Sequence, residues 1–326
     1  MFKRKLGHSE IEVSAMGMGC WAIGGPWTFE EHPAGWGQID DAESIRGIQL
    51  ALDSGINFFD TAANYGAGHS EHILGRAIAD RRDKAVIATK FGYRVDEVAK
   101  NVSHYGNPKS DDIIPHIRQD CENSLRCLDT DYIDLYQFHV GYYNPAKAGE
   151  VCDALEDLVT EGKIRYYGWS TDNPKGARVF SKGEHCASIQ HLLHVLKDAP
   201  EMLAVCGEHN LSSIVRGPLG RGFLTGKYNQ KSKFSQDDHR GNQRFQDQWA
   251  RPVLEGLGAV REILTSEGRT LAQGALGWVW ARSERTIPIP GFKTVAQVEE
   301  NASAIEFGSL NDEQMQEIDR ILERKS

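Results

Sequence analysis

The sequence predicts an α/β fold, a (β/α)8 TIM barrel with an N-terminal β-hairpin and extra C-terminal helices. Two observations predict it. Short apolar runs alternate with segments of helical periodicity, and that β/α order implies a parallel sheet. Three successive runs also break at the same relative place, on Asp60, Lys90 and His139, and in a barrel the carboxyl ends of the strands converge on one mouth. The 326 residues, 40% of them hydrophobic, suffice for one barrel or for two smaller domains. With no internal repeat and no low-complexity tract to divide the chain, one domain over residues 1–326 is the simplest account.

Taken in order, residues 3–13 alternate and turn about Gly7-His8-Ser9, as a hairpin plugging a barrel from below would. Residues 14–19 read as the first strand. Residues 21–37, rich in Gly, Pro and Trp, are long for a connection, and loops of that length are usually functional or disordered. Residues 40–54 read as a helix, with Asp40 as cap, Glu43 three positions on, and Ile45, Ile48 and Leu52 at helical spacing. Residues 56–59 form an apolar strand that surfaces at Asp60, and Ser70 caps a helix reaching Ile78. A strand at 85–90 precedes a second long loop, 93–109, and a helix at about 111–128 with Pro115 in its first turn.

The strand ending on His139 leads through Tyr142 and Tyr143 to an amphipathic helix near 146–161. Strands at 164–169, 187–190 and 212–216 then alternate with helices at 174–181 and 199–207. Residues 234–248, a polar insertion containing Asp237-Asp238-His239-Arg240, are expected to form a mobile surface loop. Helices near 252–266 and 270–281, a last strand at 286–289, and a terminal helix with Met315, Ile318 and Leu322 on one stripe complete the chain.

Composition narrows the function. The formal net charge is -9 and basic residues cluster no further than pairs such as Arg81-Arg82, so the phosphate-neutralising surface of a nucleic-acid binder is missing. No apolar run approaches the ~20 residues of a membrane span. The basic first five residues lead into Leu-Gly-His-Ser-Glu instead of an apolar signal core, which points to a cytoplasmic protein. The six cysteines show no C-x-x-C spacing, which argues against a zinc site or a disulfide framework. Cys20, after the first strand, reads as a small buried thiol.

Singly, the three strand-end residues have ordinary explanations. Asp before Thr-Ala is commonly a helix cap, a Lys after a strand a solvated terminus, and a lone His a satisfied neighbour of the core. Three in succession, with Tyr65 five residues after Asp60, make a candidate site. Gly17-Met18-Gly19-Cys20-Trp21-Ala22 lacks the third glycine of a dinucleotide fingerprint, which disfavours a Rossmann domain. Residues 217–227 approach a P-loop, but Arg221 stands where its first glycine belongs and Tyr228 replaces the Ser/Thr. A metal-dependent hydrolase needs several His/Asp ligands at strand ends, and only His139 with Asp60 is offered, so no metal is expected.

These segments, F-F-D-T-A-A-N-Y-G at 58–66, A-T-K-F-G at 88–92 and L-Y-Q-F-H at 135–139, resemble the aldo-keto reductase superfamily. The likeness runs from Leu6-Gly7 and Met16-Gly17-Met18-Gly19 through residues 162–170 to Ile289-Pro290-Gly291 and Glu300-Asn301. It implies an oxidoreductase that moves hydride between NADP(H) and the carbonyl or alcohol group of an aldehyde, ketone or sugar, with Asp60, Tyr65, Lys90 and His139 as its catalytic tetrad. Tyr65 would be the proton donor, since the alkoxide left by hydride addition needs one. Lys90 would ease loss of the phenol proton, Asp60 would keep the lysine charged, and His139 would bond the substrate oxygen. An enzyme running chiefly in the oxidative direction and a low-turnover regulatory subunit with the same fold remain alternatives.

The resemblance also implies the cofactor contacts. Residues 217–227 would wrap the diphosphate, bringing in Pro218, Leu219, Arg221, Gly222, Leu224 and Lys227. Ser170 and Gln190 match positions that hold the nicotinamide carboxamide, and Gly19, Trp21 and Asp60 are expected in contact too. Gly291, Lys293, Thr294, Gln297, Glu300 and Asn301 match the adenosine end, at the loop and first turn of a short helix whose N–H groups favour a phosphate. Lys293 is the best local cation for a 2′-phosphate, so NADP(H) is favoured over NAD(H); the lesser alternative is a solvated loop charge.

Three positions depart from the family pattern. Thr171 replaces a common Asn, Arg216 replaces the aromatic residue that usually stacks on the nicotinamide, and Gln297 stands where some branches carry Arg. Trp21, Trp27, Trp36, Tyr142 and Tyr143 fall on rim loops as a candidate aromatic wall for substrate, with Trp21, Trp27, Tyr65 and His139 as the substrate contacts. The sequence leaves the natural substrate, the direction of reaction and a homo-oligomer open.

Overall fold

The computed structural model describes residues 2–106, 113–241, 248 and 250–324. Strands β1 (Lys3–Lys5) and β2 (Glu12–Ser14) pair antiparallel, Lys3 opposite Ser14 and Lys5 opposite Glu12. Leu6, Ile11 and Val13 from this hairpin pack on the inward residues Phe58, Val86, Leu135, Ile214 and Ile287. The hairpin is therefore an apolar stopper at the bottom of the barrel, as its alternation predicts.

After β3 (Gly17–Gly19), the first long connection contains β4 (Thr28–Phe29) and β5 (His32–Pro33). Helix α1 (Asp41–Asp53) begins where Asp40 accepts from the N–H groups of Ala42 and Glu43. Glu43 does not close a capping box; its carboxylate instead accepts from Val295 N–H at 2.8 Å and pairs with Arg46. Strand β6 (Phe58–Asp60) leads to α2 (His69–Ile78), whose N-cap is Gly68 at φ +88 and not Ser70. Entry in a left-handed conformation needs glycine, which moves the helix start forward. The Ser70 hydroxyl, now in the first turn, donates to Cys20 O at 2.8 Å.

Strands β7 (Val86–Phe91), β8 (Arg94–Asp96) and β9 (Asn101–Ser103) follow. Pro115 lies in a 3-10 turn, Ile114–His116, just before α3 (Ile117–Leu128); the expected start at Asp111 lies outside the described residues. Then come β10 (Ile133–Phe138), α4 (Ala148–Thr160), β11 (Ile164–Ser170), α5 (Pro174–Phe180), β12 (Cys186–Leu192), α6 (Pro200–Glu208) and β13 (Ser212–Arg216). The C-terminal part supplies α7 (Arg251–Leu264), α8 (Leu271–Arg282), β14 (Thr286–Pro288), α9 (Val295–Phe307) and α10 (Asp312–Ile321). At 13 residues α9 is longer than the short helix expected. On α10 Ile318 is buried, and Met315 and Leu322 pack against the core.

Eight parallel strands form the barrel in the order β3-β6-β7-β10-β11-β12-β13-β14. A bridge between Gly19 and Gly291, with Gly19 N–H donating to Pro290 O at 2.9 Å, brings the first and last strands together. A Cβ at Gly19 would lie 2.7 Å from Ile289 O, so only glycine lets the seam close. The two long connections, expected to be separate loops, meet as one four-stranded sheet on the rim: β4 pairs with β5 and β9, and β9 with β8. No helix among the described residues is long and apolar enough to cross a membrane.

Candidate active site

Three of the predicted tetrad residues sit at the mouth ends of strands. Asp60 closes β6, Lys90 lies one residue before the end of β7, and His139 follows β10. Tyr65 sits in the turn after β6, beside Gly66, whose φ of +65 and approach to Gly24 leave no room for a Cβ, 2.0 Å from that carbonyl oxygen. Lys90 is wholly buried. Its ammonium donates to Asp60 Oδ1 at 2.6 Å, Thr61 O at 2.8 Å and Tyr65 Oη at 3.1 Å. All three ammonium protons are thus engaged. Because the third is donated to the phenol oxygen, the proton of Tyr65 must turn away from Lys90.

Charge follows from these contacts. Burial alone would drive the Lys90 ammonium toward neutrality, but Asp60 and the Tyr65 oxygen outweigh it and hold the lysine pKa above its usual value. Burial pushes the Tyr65 phenol up, and Lys90 offsets only part of that rise. The expected easing of the phenol is present, yet smaller than the desolvation it opposes. Burial, reinforced by Lys90 and Arg216, drives His139 well below the usual imidazole range, so it is neutral and carries one N–H. Its ring lies edge-on to Tyr65 at 5.8 Å, and Trp21 stacks on Tyr65 at 5.9 Å. Cys20 is buried beside this group, and burial raises its thiol pKa, as suits a packing role.

Above the tetrad opens a cavity of about 910 Å³. Its floor holds Asp60, Tyr65, His139, Ser170 and Gln190, and Gly19, Trp21, Trp27 and Trp36 form one wall. Arg216, Pro218, Leu219, Arg221, Gly222 and Lys227 also line it, as do Gly291, Lys293, Thr294, Gln297, Glu300 and Asn301. Lys90 lies beneath the floor. Several expected contacts are not on the cavity surface. Thr171 is buried behind it and donates to Gly141 O at 2.6 Å. Leu224 is wholly buried, Tyr143 packs edge-on to Phe138 at 5.1 Å, and Tyr142 is exposed beside His104. The side chains of Thr171, Leu224 and Tyr143 are buried.

Arg216 is ion-paired with Asp172 at the mouth. Lys293 Nζ donates to Trp36 O at 2.9 Å, and Gln297 Oε1 accepts from Lys293 N–H at 2.7 Å. Burial lowers the Lys293 pKa, and burial with Arg216 nearby brings Arg221 down to about 10. The groups present fit a dinucleotide diphosphate. Gly217, Gly220, Gly222 and Gly226 all have positive φ, giving an irregular backbone among cations. Asn301 Nδ2 is also buried without a hydrogen-bond partner among the described residues.

The polar insertion is not a solvated loop in its described part. Asp238 bridges to Trp36, and His239 stacks on Trp21 at 4.8 Å. Arg240 pairs with Asp238 at 2.7 Å and lies over the Trp36 ring at 4.4 Å. Residues 242–247 and 249 lie outside the described residues. Sequence reasoning missed Arg240, Tyr228 and Asn64 on the cavity wall, and Gln137 behind it. Gln137 had one visible signal, a polar residue at an inward position of an apolar strand.

The chain can be compared with known proteins at this point. The model of the Aldo/keto reductase family matches residues 15–323. The aldo-keto reductase YhdN of Bacillus subtilis is 32% identical over 320 residues, covering 96% of this chain and 91% of that one. Among solved structures, the glycerol dehydrogenase AKR11B4 from Gluconobacter oxydans superposes with a TM-score of 0.82 at 33% identity, covering 99% and 95% of the two chains. An aldo/keto reductase from Klebsiella pneumoniae in complex with NADP and acetate gives 0.70 at 26% identity, covering 98% and 96%.

Proposed function

Because the chain belongs to the aldo/keto reductase family, we propose that it transfers hydride between NADP(H) and a carbonyl or alcohol group of a small molecule, with Tyr65 as general acid and base. The carrying observation is the donation from Lys90 Nζ to Tyr65 Oη at 3.1 Å on the cavity floor. It leaves the phenol proton turned away from Lys90, available to a substrate oxygen. Bound NADP(H) would supply or accept the hydride, which no side chain can. Residues 217–227, Arg221, Lys293 and Asn301 would hold it, and the NADP complex of the Klebsiella relative supports this choice.

In reduction, neutral His139 donates to the substrate oxygen while Tyr65 delivers the proton. Lys90 then faces the phenolate, and Asp60 keeps that lysine charged and aimed. Trp21 and Trp27 wall off water on the substrate side, where the same groups run the reverse reaction with Tyr65 as base. The likeness to a glycerol dehydrogenase favours polyol or secondary-alcohol oxidation as a second reading of direction. Tyr65→Phe tests the assignment: NADPH binding should be unchanged and turnover on a carbonyl panel should fall roughly 10²- to 10⁴-fold. Near-normal turnover in that variant would remove Tyr65 from the role.

A further inference from the structure

Asp60 is fixed from three sides. Lys90 holds Oδ1 at 2.6 Å, while Oδ2 accepts from Gln137 Nε2 at 3.0 Å and Gln190 Nε2 at 2.7 Å. Gln190 Nε2 also donates to Gln137 Oε1 at 3.2 Å, and Gln190 Oε1 accepts from the Ser170 hydroxyl at 3.4 Å. A carboxylate paired with an ammonium accepts and cannot donate, so both amides must turn their nitrogens toward Oδ2. Gln137 Oε1 is then left facing the second proton of Gln190. Gln137 and Lys90 stand opposite each other on β10 and β7, and Gln137 is fully buried.

From this network we propose that Gln137 is a positioning residue for hydride transfer. It holds Asp60 Oδ2 and the Gln190 amide at once, keeping Lys90 aimed at Tyr65 and the Ser170–Gln190 floor in register with them. The role rests on the reductase reading above. Without Gln137, Oδ2 keeps only Gln190, whose amide has lost the acceptor that sets its rotation. The carboxylate can then turn, and the lysine bound to it follows. Only a donor serves at this position. A protonated Glu can donate its O–H to Oδ2 and accept from Gln190, whereas an ionised Glu beside Asp60 repels it.

The test compares wild type, Gln137→Leu and Gln137→Glu in NADPH-dependent carbonyl reduction from mildly acidic to alkaline pH. NADPH affinity is read separately by protein fluorescence. Gln137→Leu should turn over roughly a hundredfold more slowly at every pH. Gln137→Glu should keep near wild-type turnover at the acid end and lose it as the introduced carboxyl ionises, its acid-side activity showing that the variant folds. Both should still bind NADPH, because the contacts expected of residues 217–227 and 291–301 are untouched. Wild-type rates in Gln137→Leu, or a Gln137→Glu profile as low as that of Leu at all pH, would overturn the role. A wild type that reduces no carbonyl would bring down the reductase reading and this role together, a result that needs no variant to recognise.

Discussion

A lysine ammonium without water is costly, so the charge on wholly buried Lys90 exists through its contacts with Asp60, Thr61 and Tyr65. Replacing it by Met leaves the Asp60 carboxylate buried with no cation, and Lys90→Met should lose about 3–5 kcal/mol of stability, measured by denaturant unfolding. The raised Tyr65 pKa fixes the sign of a pH effect. With Tyr65 as the proposed acid, reduction would need the protonated phenol and its rate should show no alkaline fall below the ordinary phenol pKa of about 10; oxidation would need the phenolate and should rise with pH. A reductive rate that halves near neutrality through Tyr65 would contradict this. Asp60, Lys90 and His139 could be read as candidates because each interrupts an apolar run where a strand surfaces, and Tyr65 because it follows Asp60 by five residues. Gln137 shows only as a polar residue in an apolar strand, and its contact could not be read because its partner, Asp60 Oδ2, lies 77 residues away in the chain.

Elements fix what single residues cannot. The rim sheet escaped prediction because β4 and β5 are two residues each and β4 pairs with β9 some 70 residues on. No alternation develops in so short a run. This sheet carries the Trp27 wall, and Trp27→Ala should raise substrate KM about tenfold, a loss of about 1.4 kcal/mol of contact, with NADPH affinity unchanged. The join between α2 and β7 makes a different prediction. Glu71 accepts from the Thr89 hydroxyl at 2.5 Å, and burial lifts its pKa from 4.5 to about 7. Below the lower value both folded and unfolded chains hold the proton. As pH rises from there toward the folded pKa the unfolded chain releases it and the folded one keeps it, so stability falls. Glu71→Gln should remove that fall, gaining on the order of 3 kcal/mol relative to wild type at alkaline pH, read from unfolding midpoints at several pH values. Identical pH trends in the two proteins would contradict the burial argument.

At the scale of the whole molecule, the barrel brings Asp60, Lys90, His139, Ser170 and Gln190 from five successive strands to one end, while the hairpin of Leu6, Ile11 and Val13 seals the other. The β/α order made that architecture legible, since each strand shows as an apolar run and each helix as a periodic one. Less legible was the closing of the mouth by residues 234–241. Their Asp and Arg read as solvated until paired with each other and laid on Trp36. The proposed proton transfer from Tyr65 accompanies hydride movement at the same floor. Its most direct measurement is single-turnover reduction of a carbonyl by bound NADPH, followed by nicotinamide absorbance, in wild type and Tyr65→Phe at equal cofactor occupancy. Bound NADPH should be oxidised in wild type and at least ~10²-fold more slowly in the variant; equal rates would remove Tyr65 from the proton transfer.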